Sequence, residues 1–104
     1  MDLESSIKSL EIANKYSSVF CTVGYHPHES EKAPNNYLND LEIMCKEPKV
    51  VAIGETGLDY YYNHSNPKNQ KKRFIEQIEL ANNLTLPVII HNRESDDDLY
   101  EILK

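Results

Sequence analysis

Three short apolar runs, each closing beside residues able to bind metal or move protons, constrain this chain more than any other feature. Val19–Val23, Lys49–Gly54 and Leu86–Ile90 are nearly continuous in β-branched and aliphatic residues. Runs of that length and type read as strands buried on both faces. Pro87 stands at the entry of the third, where no ladder hydrogen bond is lost. Between them the apolar residues change to a helical rhythm. Leu3, Ile7, Leu10 and Ala13 give a first helix ending near Tyr16, and Tyr37, Leu38, Leu41, Met44 and Cys45 a second, stopped by Pro48. Asn66 as N-cap and Pro67 at the first helical position open a third helix. Its inward residues are expected to be Phe74, Ile75, Ile78, Ala81 and Leu84, with Lys72 and Glu76 paired on the wet side. Ser95 and Asp98 resemble a capping box for a last helix through Leu99, Tyr100 and Leu103. The order α-β-α-β-α-β-α predicts an α/β fold with a parallel sheet and right-handed crossovers.

The chemistry follows the same order. The first strand runs into His26 and His28, the second into Glu55, the third into His91. In parallel βα units the C-terminal ends of all strands lie on one side, so these residues are expected to converge. Imidazole and carboxylate together suit Zn²⁺, Mn²⁺ or Fe²⁺, ions that activate water. The segment GETGLDYY after the second strand reads as a loop, in which Asp59 accepts backbone N–H groups. Two readings stay open for Arg93: a bidentate grip on a phosphate, or an ion pair with Glu94 or a nearby acid. Tyr60, Tyr61 and Tyr62 either stack on bases or pack against the fold. His64 is expected in an exposed polar loop.

Composition narrows the partners. The 104 residues carry a net charge of −6, with an isoelectric point near 5.1. No global basic surface exists to hold nucleic acid by charge alone. A phosphate ligand therefore needs a metal or a few local cations. Cys21 and Cys45 lack CxxC spacing and read as reduced core residues of an intracellular protein, cytoplasmic or nuclear. The N-terminal MDLESSIKSL has neither a basic head nor a long apolar run, so no signal peptide or membrane span is expected.

Three motifs in order carry a family resemblance. VGYHPHE at Val23 to Glu29, VAIGETGLDYYY at Val51 to Tyr62 and LPVIIHNRES at Leu86 to Ser95 resemble successive signatures of the TatD-type metal-dependent hydrolases. The helix QKKRFIEQIELANNL before the third resembles that family too. The resemblance implies part of a (β/α)₈ TIM barrel of the amidohydrolase superfamily, and divalent-metal hydrolysis of phosphodiester bonds in DNA, often as an exonuclease. It places Glu55 as a metal-bridging carboxylate and His91 as a metal-ligating histidine, the two catalytic positions. His26 and His28 match a family motif beside that pocket, as substrate-binding or ligand-orienting positions, and Arg93 is a further substrate-binding candidate on its own chemistry. It also implies divalent ions, Mg²⁺, Mn²⁺ or Zn²⁺, two in a complete site, and single-stranded DNA or 3′ ends as substrate. Such enzymes carry an opening strand with His-x-His, a further histidine and a late aspartate, none of which stands among these residues. A full barrel takes about 250 residues. The expectation is one partial-barrel domain, residues 1–104, lacking the first strand and the C-terminal half. Such a unit would expose sheet edges that favour self-association and would be inactive alone. The competing expectation is an inactive fragment or paralogue that acts only by binding.

Overall fold

The computed structural model describes residues 1–61 and 65–104, which leaves Tyr62 and His64 outside the described residues. Its elements are α1 (Leu3–Lys15), β1 (Cys21–Val23), a 3₁₀ helix (Pro27–Lys32), α2 (Tyr37–Met44), β2 (Val50–Asp59), α3 (Pro67–Leu84), β3 (Val88–Arg93) and α4 (Asp96–Leu103). The three strands form one sheet in the order β1-β2-β3, and both pairings are parallel. The expected alternation of helix and strand is therefore present, with the 3₁₀ helix added after β1.

Local chemistry accounts for the helix starts. Asp2 caps α1 by accepting from Ser5 N at 3.0 Å, while Ser5 Oγ accepts from Asp2 N at 2.9 Å. Asn66 caps α3 through Asn69 N at 2.9 Å, with Pro67 at the first position. The main core lies between the sheet and its helices, where Val23, Tyr37, Leu41, Ile53 and Ala81 are buried. Burying the valine, leucine and isoleucine side chains contributes about 1.5–3 kcal/mol each.

Four local readings are corrected. GETGLD is not a loop: β2 runs on to Asp59 and pairs with β3 as far as Arg93. The register shifts between Gly54 and Thr56, so Glu55 is the extra residue of a bulge, a device that re-aims a side chain. Ile75 lies exposed on α3, and the buried positions include Gln70 and Gln77 instead. Glu76 pairs with Arg73 at 3.1 Å and accepts from the Tyr37 hydroxyl at 2.7 Å, so it does not serve Lys72. Ser95 makes no side-chain cap for α4; its hydroxyl donates to Leu58 O at 3.2 Å and ties the α4 entry to β2.

The two buried glutamines fix the ends of two strands. Gln77 accepts from Tyr25 N at 2.8 Å and donates to Tyr25 O at 3.3 Å, just before His26. About two helical turns earlier, Gln70 accepts from Asp59 N at 2.7 Å and donates to Asp59 O at 3.0 Å. A side-chain amide matches a peptide group in donor and acceptor, so each glutamine completes the backbone pairing where a strand ends. The outer strand β3 is poorly covered: Ile89 is 44% and Ile90 39% exposed.

Candidate metal centre

The C-terminal ends of the three strands open on one side and bring four sequence-predicted residues together. The bulge presents Glu55, β3 delivers His91, and the 3₁₀ helix after β1 delivers His26 at its N-cap and His28 in its first turn. The ring centroids of His26 lie 4.4 Å from those of both His28 and His91. One ligand atom from each of His26, Glu55 and His91 falls within 4.8 Å of the others. Ligand atoms on a tetrahedral Zn²⁺ ion stand about 3.3–3.6 Å apart, given metal–ligand bonds near 2.0–2.2 Å. Side-chain rotations that move these atoms by about 1 Å would bring Glu55 and His91 onto a single cation, and carboxylate with imidazole is a donor chemistry that fits one.

Hydrogen bonding refines what each imidazole can do. His26 Nδ1 accepts from His28 N at 3.2 Å, which caps the 3₁₀ helix. With Nδ1 so used, the neutral ring carries its proton on Nε2, which faces Glu55 Oε1 at 4.0 Å. Proximity alone would make His26 a ligand; its hydrogen bonding makes it a donor toward anions, and the latter is the stronger argument because a protonated nitrogen has no lone pair to give. His28 Nε2 and His91 Nε2 both meet Asp59 Oδ2, at 2.8 and 2.9 Å. Asp59 Oδ1 accepts from Tyr61 N at 3.0 Å, the loop-fixing role expected of it. Its second oxygen is a role that the sequence reading missed. No local signal was available, because the bulge at Glu55 offsets the two-residue alternation between Glu55 and Asp59.

Arg93 and the tyrosines lie farther out. The Arg93 guanidinium stands 5.6 Å over the Tyr61 ring. Tyr60 packs toward α4 and donates its hydroxyl to Asp98 at 2.7 Å. Tyr61 is exposed.

Burial, with the neighbouring His91 and His28 second, depresses the His26 pKa from 6.5 to about 4. An unfolded chain with a normal histidine therefore binds more protons than the folded one between those values. Stability contributed by keeping His26 neutral is complete above pH 6.5 and lost as the pH falls toward 4. Urea unfolding of the metal-free chain should show a lower free energy at pH 5 than at pH 7, and His26→Gln should flatten that slope. An equal slope in the variant would assign the effect elsewhere.

The family model described as TatD related DNase matches residues 1–104. The chain is 36% identical over 103 residues to the uncharacterized metal-dependent hydrolase YabD of Bacillus subtilis, covering 99% of this chain and 40% of that protein. It is 34% identical over 103 residues to the 3′-5′ ssDNA/RNA exonuclease TatD of Escherichia coli K12, with the same coverage of 99% and 40%. The solved structure of YJJV, a TatD homologue from Escherichia coli, superposes with a TM-score of 0.90 at 32% identity, over 99% of this chain and 40% of that one. A TatD family hydrolase from Entamoeba histolytica gives a TM-score of 0.83 at 33% identity, over 97% and 37%. The chain thus spans about 40% of the length of the curated relatives it matches, and its three-stranded parallel sheet is part of a TIM barrel. Matched along its whole length, with relatives and solved structures agreeing, the chain belongs to the family of TatD-related DNases.

Proposed function

We propose that these residues carry part of the active site of a divalent-metal-dependent hydrolase that cleaves phosphodiester bonds in DNA. The observation that supports this most is the meeting of Glu55 and His91, from different strands, within reach of one cation. The Glu55 carboxylate and His91 would hold a divalent ion, Mg²⁺, Mn²⁺ or Zn²⁺, and the exposed Glu55 would be open to a second ion in a complete barrel. When bound, the metal supplies Lewis-acid polarisation of a phosphoryl oxygen and activation of water. His26, neutral at pH 7, offers its Nε2–H to a phosphate oxygen. His28, engaged with Asp59, holds the neighbouring backbone and ring in place. Arg93, exposed beside Tyr61, meets the next phosphate, and the exposed Tyr61 ring offers a face to a base.

Single-stranded DNA and its 3′ ends are the proposed substrate, in line with the name of the Escherichia coli relative. Net negative charge makes the cation the main neutraliser of the phosphate. Hydrolysis is proposed for a complete barrel, with the 104 residues inactive alone. A barrel containing them should shorten labelled single-stranded DNA only with divalent metal, and EDTA should stop it. Cleavage that continues in EDTA would overturn the reading.

Two further proposals concern the whole molecule. Cys21 and Cys45 are both free thiols, consistent with an intracellular address. Among the described residues no helix is long and apolar enough to cross a membrane. The exposed Ile89 and Ile90 on β3 favour self-association of the isolated chain. Sedimentation velocity should show an average mass that rises with concentration.

A further inference from the structure

Beyond the ligands themselves, one buried acid, Asp59, meets two of the imidazoles at this site. We propose that Asp59 is the positioning residue of this site, selecting which ring nitrogen His91 offers to a cation. The inference rests on the metal-site reading above.

The Asp59 side chain is 1% exposed, yet a single oxygen, Oδ2, receives Nε2 of both His28 and His91 at 2.8 and 2.9 Å. A carboxylate only accepts, so both nitrogens carry hydrogen. A neutral His91 is then left with its lone pair on Nδ1, and that nitrogen is the one a metal can use. The hydrogen bond also restrains rotation of the ring, so the lone pair keeps one direction. The other oxygen of Asp59 is held by Tyr61 N at 3.0 Å. Its backbone is held by Gln70, whose Nε2 reaches both Asp59 O at 3.0 Å and Ser65 O at 2.8 Å. The acid is thus fixed at side chain and main chain alike, as a group that orients two rings must be. Asparagine at this position keeps the shape but replaces one oxygen by an N–H donor. A ring facing that donor must move its proton from Nε2 to Nδ1, which removes the lone pair a metal needs.

The test uses the ¹⁵N-labelled, metal-free chain at neutral pH, with the histidine tautomers read from long-range ¹H–¹⁵N correlations. His91 should be the Nε2–H tautomer, and adding Zn²⁺ should shift its Nδ1 resonance and leave Nε2 protonated. In Asp59→Asn, the His91 tautomer should change in whole or part, and Zn²⁺ affinity should fall by about 10–100-fold. A role limited to folding would lower the melting temperature and leave the tautomer of the folded protein as it was. His91 found as the Nδ1–H tautomer in the unsubstituted chain would overturn the proposal. So would an Asp59→Asn protein with the original His91 tautomer and unchanged Zn²⁺ affinity. If the variant does not fold, the tautomer in the unsubstituted chain decides. Should the unsubstituted chain bind no Zn²⁺, the metal reading fails, and the tautomers still decide whether Asp59 directs His91.

Discussion

Glu55→Gln should cost more divalent-metal affinity than any other polar substitution in the chain, while leaving the fold almost as stable as before. Glu55 supplies the only carboxylate among the three side chains, with His26 and His91, whose polar atoms cluster at this site. Losing an outer-sphere partner costs roughly 10–100-fold in metal affinity. Removing the charged ligand itself should exceed that range, because no remaining group in the triad neutralises the cation. The fold should be spared for a different reason. The Glu55 side chain is 53% exposed, and as the bulge residue it stands outside the regular pairing with β3. Glutamine keeps the length and the bulge, and exposed substitutions of this sort usually stay within about 0.5 kcal/mol. Zn²⁺ calorimetry alongside thermal melting separates the two effects. Equal Zn²⁺ affinity in the variant would remove Glu55 from the site. In a complete barrel the same substitution should abolish DNA hydrolysis.

The alternation of elements and the residues at the strand ends were legible because they depend on periodicity, which a sequence displays directly. Asn66 and Pro67 announced the start of α3 for the same reason: capping is local. What escaped depended on neighbours distant in the chain. Gly54 and Gly57 look like turn residues, yet each lies inside β2 where β3 approaches closely. Glycine has both uses, and only the partner strand decides between them. Gln70 and Gln77 occupy the inward face of α3, where a polar residue looks like an error until the backbone groups of Tyr25 and Asp59 that they meet are in view. Ile75 has the periodicity of a core residue but faces outward on a chain whose sheet has open edges. The site was legible as residue types and spacing. Its hydrogen-bond logic was not, because Asp59 meets His28 and His91 across 31 and 32 positions of sequence.

Gly57→Ala should be the most damaging single-methyl change in the protein. Gly57 pairs with His91 in the β2–β3 register. A Cβ placed on it would lie 2.0 Å from His91 O and 3.0 Å from His91 C. Those are backbone atoms, so no side-chain rotation relieves the clash, and β3 must move away from β2 at the residue that carries the imidazole. The φ angle of Gly57, +143°, is also one that L-residues rarely adopt. Overpacking costs about 3 kcal/mol and the strained backbone about 1 or more. A total near 4 kcal/mol approaches the whole stability of many small domains, roughly 5–15 kcal/mol. Thermal melting should show a midpoint lowered by about 20 °C, or no cooperative transition at all. Gly24→Ala is the natural control. Its Cβ would meet the Gln77 side-chain oxygen and Gly54 N at 3.0 Å each, at a residue whose φ does not fall in the positive range that disfavours L-residues. That contact is tight but relieved by small shifts, so the loss should be clearly smaller. A Gly57→Ala protein that melts within a few degrees of the original would mean that β3 is not held against β2 at His91, and the convergence of His91 with Glu55 would lose its structural basis.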